Sequence, residues 1–100
     1  MKVSFSRSAE IDLEDIGDYI AADSPRRAIT FIREIRAVAT RIAEYPEAFP
    51  LVPRYEHRGV RRRPYGSYLI FYTVNHDEVV VVHIAHSAEA YAVKLFPEDN

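Results

Sequence analysis

Three consecutive arginines, Arg61 to Arg63, and two histidines three residues apart, His83 and His86, are the side chains of this sequence best equipped for chemistry. A guanidinium makes planar two-point contacts with phosphates or carboxylates, so the arginine run points to nucleic acid or to an acidic segment of another protein. The plain alternative is a solvated strand edge, or pairing with acids of the same chain. In a strand, alternation puts Arg61 and Arg63 on one face and Arg62 on the other. It also sends His83 and His86 to opposite faces, and with no third ligand evident they do not read as a metal site. As an acid-base pair they lack a carboxylate or nucleophile that the spacing indicates, so His83 reads as a partly covered strand residue. Tyr65, Tyr68, Tyr72 and Tyr91 gather with Phe71 around the same segments, a density commoner in cores and interfaces than in base-stacking platforms. No glycine-rich phosphate loop, dinucleotide fingerprint, Ser-His-Asp constellation or internal repeat occurs, and no cofactor is expected.

The elements that must position these residues are legible from periodicity. Lys2 to Ser6 alternates as a short first strand, after which Ser6 or Ser8 can cap a helix. Ala9, Leu13, Ile16 and Ile20 give that helix one apolar stripe, with its acids assigned to the opposite face. Asp23-Ser24-Pro25 breaks the chain and restarts it, because proline at a first helical position loses no needed donor. Ala28, Phe31, Ile32, Ile35, Val38, Ala39, Ile42 and Tyr45 recur at helical spacing up to Pro46, so the two helices read as an antiparallel hairpin. Pro46, Pro50 and Pro53 make the next segment an irregular connection that Phe49, Leu51 and Val52 tack to the core. Three antiparallel strands are expected at about 59–63, 68–74 and 78–85, turning at Pro64 to Ser67 and at Asn75 to Asp77.

The fold class is therefore α+β, in the order β-α-α-β-β-β, with the hairpin on one face of a small, mainly antiparallel sheet and room for a short C-terminal helix. The last two strands are apolar on both faces, as strands covered on both sides are. One hairpin covers one face. The uncovered second face is read as the seat of a protein partner.

Composition narrows the function. One hundred residues allow a single domain spanning 1–100 with one core, and 48% apolar with 28% charged residues is an ordinary globular balance. There is no cysteine and no stretch long enough to cross a bilayer, and the chain is read as cytoplasmic. A net charge of -2 argues against a general polyanion binder, and no direct sequence-specific nucleic-acid binding is expected. The charge is nonetheless sorted: Ala9 to Ser24 carries six acids and no base, whereas Arg54 to Arg63 carries five arginines and one acid.

This layout resembles the ParE/RelE superfamily of toxins from type II toxin-antitoxin modules over nearly the whole chain. The opening A-x-x-D-L-x-x-I-x-x-Y-I pattern is matched by Ala9, Asp12, Leu13, Ile16, Tyr19 and Ile20. Ile42, Ala43 and Pro46 match the end of the second helix, and Gly59, Val60, Arg61, Arg62, Gly66, Tyr68, Ile70 and Tyr72 match the G-V-R-R…Y-G-S-Y-L-I-F-Y stretch. The resemblance implies a toxin neutralised by a tightly bound ParD-like antitoxin in a hetero-oligomer, with Arg61, Arg62, Arg63, Tyr68, Phe71 and His83 as antitoxin or target contacts. It leans to the ParE branch, whose members inhibit DNA gyrase without catalysis, because the H-R-x-x-x-Y ending of RelE-like messenger RNA endoribonucleases has Ser87 in place of its arginine. A ribosome-dependent endoribonuclease using Arg61, His86 and Tyr91 is the alternative, and a non-toxic antitoxin-binding remnant is a third reading.

Overall fold

The computed structural model describes residues 1–99. The chain runs β1 (Lys2–Phe5), α1 (Arg7–Ala21), α2 (Pro25–Arg41), β2 (Arg61–Tyr65), β3 (Tyr68–Val74), β4 (Glu78–His86) and α3 (Tyr91–Leu95). The four strands form one sheet in the order β1-β4-β3-β2, antiparallel except for the parallel pair β1–β4. Serine caps set both helix starts, Ser6 and not Ser8 taking the first. The Ser6 hydroxyl accepts from the Ala9 amide at 3.1 Å and Ser24 does the same for Arg27, with Pro25 at the first turn of α2. Ser6 also donates its hydroxyl to Val82 and its amide to Val81, so one residue both ends β1 and anchors α1 to β4.

The α1–α2 hairpin lies on the first face of the sheet. Ala9, Leu13, Phe31, Ile35 and Ala39 pack there against Ile70, Tyr72, Val79, Val81 and Ile84. Val81 and Ile84 reach the same core because β4 carries an extra residue, Val82, where the register passes from Phe71–His83 to Tyr72–Val81. That bulge shifts the alternation by one and lets an odd spacing serve one face. β2 begins two residues later than expected and includes Pro64, which an edge strand tolerates because the N–H that proline lacks would point away from the sheet, where there is no ladder to join.

The expectation of an uncovered second face is corrected. Leu69, Phe71 and Ala85 on that side are buried in a second core with Val52, Val60 and Phe96, flanked by Tyr55, Val82, Tyr91 and Leu95. The cover is assembled from two irregular pieces, the proline-rich connection and the C-terminal segment, and neither carries a helical or strand period long enough to announce a layer. Tyr55 stacks on Phe96 at 4.6 Å and Tyr91 packs on Phe71 at 4.9 Å, so aromatic rings close the gap that a second helix pair would fill elsewhere. Phe71, expected as a partner contact, is fully buried inside the chain. No helix among the described residues is long and apolar enough to cross a membrane. Truncating Phe71 to Ala is expected to cost ~3–5 kcal/mol in urea unfolding, the range for a packed core aromatic. A cost below ~1 kcal/mol would return this ring to an open surface.

Candidate functional site

Asp12 is the one fully buried charged side chain among the described residues, at 5% exposure. Periodicity assigns it with the other acids to the outer face of α1, yet on the helix it adjoins Leu13 and lies one turn from Ala9, at the margin of the apolar stripe. β1 stops at Phe5, so the edge of β4 beyond Val81 has no strand beside it. Asp12 fills the gap. Its Oδ2 accepts from the Ile84 amide at 2.8 Å and lies 2.9 Å from His83 Nδ1, while its Oδ1 pairs with Lys94 Nζ at 2.6 Å. A carboxylate is costly to bury alone and acceptable with this many partners. The carboxylate absent from the sequence reading of His83 is therefore supplied by a residue 71 positions away. His83 is committed to this bond, and its side chain is 20% exposed.

The arginine run splits between the two faces as alternation requires. Arg61 and Arg63 stand opposite Tyr72 and Ile70, residues of the first core, and Arg62 stands opposite Phe71 of the second. Each guanidinium first serves the fold. Arg61 donates to the carbonyls of Phe49 at 2.8 Å and Glu47 at 3.3 Å, Arg63 lies over the Phe49 ring and donates to the Pro64 carbonyl, and Arg62 donates to the Tyr91 hydroxyl at 3.1 Å. The outer edge of β2 is closed in part by residues 50–52, through Arg62 N to Pro50 O and Val52 N to Val60 O. With Pro64 beyond them, this is a blunted edge and not an open ladder.

Two surface features lie on either side of the turn before α3. A notch of about 500 Å³ at the end of the sheet is lined by Tyr19, Ser67, Tyr68, His86 and Glu89. Tyr68 contacts His86 edge-on at 5.3 Å, and burial, with lesser contributions from Tyr19 and Glu89, raises its phenol above the ordinary value. A groove of about 350 Å³ on the second face runs between Val52 to Tyr55 and Glu89 to Ala92. Arg54 sits on its rim at φ 74°, the one non-glycine residue with a left-handed backbone among the described residues. Such strain in an arginine is uncommon and collects at working surfaces.

Tyr68 and His86 thus meet at the notch, and Arg62 meets Tyr91 at the groove. Arg61, His86 and Tyr91 do not converge. Arg61 faces Tyr72 and His86 faces Tyr68, four residues apart along β3 on strands to either side of it, which places their backbones ~16 Å apart. Tyr91 belongs to the opposite face. Asp12, Lys94, Arg54 and Tyr19 have no place in the sequence reading of the site. Of these, Asp12 and Tyr19 carry a readable signal, both falling in the opening motif and Asp12 also standing beside the apolar stripe.

Removing the Asp12 carboxyl by substitution with Ala is expected to cost ~2–4 kcal/mol, since the buried Ile84 amide and the Lys94 ammonium lose their partner together. Amide exchange should accelerate in both α3 and the end of β4; acceleration in only one of them would show that Asp12 does not couple the layers. A second, pH-linked outcome concerns Glu34, whose carboxyl lies below its ordinary 4.5 because Tyr65 and then Arg27 hydrogen-bond to it. A carboxyl depressed in the folded state stabilises above its unfolded value and loses that contribution as pH falls through the folded one. Tyr65→Phe should move the Glu34 titration seen by NMR back up, and an unmoved titration would exclude the phenol as the cause.

A family model described as ParE toxin of type II toxin-antitoxin system, parDE, matches residues 3–91. No curated protein matches the sequence. Among solved structures, a chain of the chromosomal ParDE toxin-antitoxin system from P. aeruginosa superposes with TM-score 0.72 at 21% identity, covering 86% of this chain and 95% of that one. A chain of the toxin-antitoxin complex RelBE2 from Mycobacterium tuberculosis superposes with TM-score 0.63 at 22% identity, covering 88% and 92%. At these identities the structures share the fold.

Proposed function

The chain belongs to the family of ParE toxins of type II toxin-antitoxin systems, and from that premise we propose that it is a cytoplasmic protein that binds and inhibits DNA gyrase and is held inactive by a ParD-like antitoxin. The observation that carries the non-catalytic reading is the scatter of Arg61, His86 and Tyr91 over two faces of the sheet. Cleavage of RNA without metal needs cations and proton donors gathered on one phosphate. The arrangement supports recognition instead, by shape and charge.

The antitoxin is proposed to lay an extended acidic segment along the groove between Val52 to Tyr55 and Glu89 to Ala92. Tyr55 and Tyr91 offer aromatic walls there, and Arg54 and Arg62 stand beside it. A guanidinium has five donors, and Arg62 spends one on Tyr91, leaving others for a carboxylate. The notch at Tyr68 and His86 is the second contact proposed, for the target or for the antitoxin's preceding helix.

Two assays test this reading. Purified protein should abolish gyrase supercoiling and leave messenger RNA intact on translating ribosomes; cuts in the messenger with unaffected gyrase would reverse the assignment. Arg62→Glu should weaken antitoxin binding by about tenfold or more, while Arg7→Glu leaves it within about twofold. Arg62 is a cleaner probe than Arg61, whose carbonyl contacts hold the connection in place. Equal losses at Arg62 and Arg7 would remove the groove from the interface.

A further inference from the structure

The outer face of the α1–α2 hairpin has no part in the proposed function. Apart from Arg7 in the first turn of α1 it is sorted by charge, and most of its charges are unpaired. α1 presents Glu14 and Asp18 with Ile11 at 46% exposure, and beside it α2 presents Arg26 and Arg33 with Ile29 at 61% exposure. Glu10 and Arg36 pair across the seam between the helices. Glu14, Asp18, Arg26 and Arg33 have no ion-pair partner among the described residues.

We infer that this face is a self-association surface, docking against the same face of a second copy with α1 of each lying over α2 of the other. Two adjacent stripes of opposite sign exclude simpler occupants. A polyanion or an acidic tail meets the carboxylates of α1, and a basic partner meets the arginines of α2. A second copy, turned by a two-fold axis parallel to the helices, carries both signs at the required spacing and satisfies both stripes at once. The other face-to-face two-fold, perpendicular to the helices, stacks acid on acid and is rejected by the same charges.

The register follows from the hairpin. A two-fold along the helix direction keeps each residue at its own height, so what lies level within one hairpin lies opposite across the interface. Glu10 pairs with Arg36, and a Cβ at Gly17 would stand 3.5 Å from Ile32 Cδ1. Between those two levels Glu14 comes level with Arg33, so Glu14 of one copy faces Arg33 of the other, twice per dimer. Helices of 15 and 17 residues with a paired width of ~20 Å offer ~450 Å² per copy. About 900 Å² in total is the low end for a specific interface, so the dimer is weak and salt-sensitive.

The test uses the full chain in sedimentation equilibrium. At ~50 mM salt the native protein should show dimer at tens of micromolar, dissociating at about 500 mM. Glu14→Arg alone sets two guanidinium groups level across the interface, Arg33→Glu alone sets two carboxylates level, and each variant should remain monomeric. Mixed in equal amounts the two variants should form a heterodimer, because one carries only cations at this level and the other only anions. The doubly exchanged chain E14R/R33E should dimerise by itself. Circular dichroism and a cooperative thermal unfolding transition identify any variant that fails to fold. A native protein that is monomeric at low salt, a dimer indifferent to both reversals, or a mixture that stays monomeric would each overturn the inference. So would loss of antitoxin binding by the folded reversal variants, which would give this face to the antitoxin.

Discussion

A carboxylate that takes the place of a missing strand is the constraint on which this fold depends. β1 is only four residues long, and the distal half of β4 is left with amides that no strand receives. α1 leaves β1 through the Ser6 cap and passes that edge, so Asp12 reaches the Ile84 amide. Because Oδ1 is still free, Lys94 can be drawn in from the far side of the sheet. One side chain thereby joins α1, β4 and α3, elements from both layers, and its burial is tolerable because its oxygens are occupied.

That junction changes what the sheet requires of other molecules. With α3 tied down, Phe96 and Leu95 meet Tyr55 and Val52, and the second face becomes a core of its own. The chain closes on itself without a partner's help. In the proposed reading, recognition falls not to exposed sheet but to smaller surface features: a notch at the end of the strands, a groove beside a strained arginine, and side chains whose donors are only partly used. Shallow features of this kind suit an extended peptide or a protein surface better than a small substrate.

The arginines illustrate how one cluster can hold the fold and keep donors in reserve. Arg61 and Arg63 fasten the proline-rich connection to the sheet through backbone carbonyls and the Phe49 ring, and Arg62 positions Tyr91. Guanidinium groups can hold such contacts and still present donors outward, which an ammonium does less well. Their positive charge lies on the strand layer, away from the acidic α1, where Glu10 is matched instead along the seam of the hairpin by Arg36.

Local pattern was enough to determine the order of elements, the Ser24 cap and a serine cap on the first helix, the hairpin, the split of Arg61 and Arg63 from Arg62, and the helical side of the first core. These follow from periods of two and 3.6 and from cap chemistry, which act over a few residues and are written in the chain. Only the tertiary structure decided where the second core came from, because it is built by irregular segments far apart in the chain whose apolar residues have no period to read. It also decided the fate of Asp12, His83 and Lys94. Their contact spans 71 and 82 positions, from Asp12 to His83 and to Lys94, and no spacing rule links charges brought together only by the passage of a helix along a sheet edge.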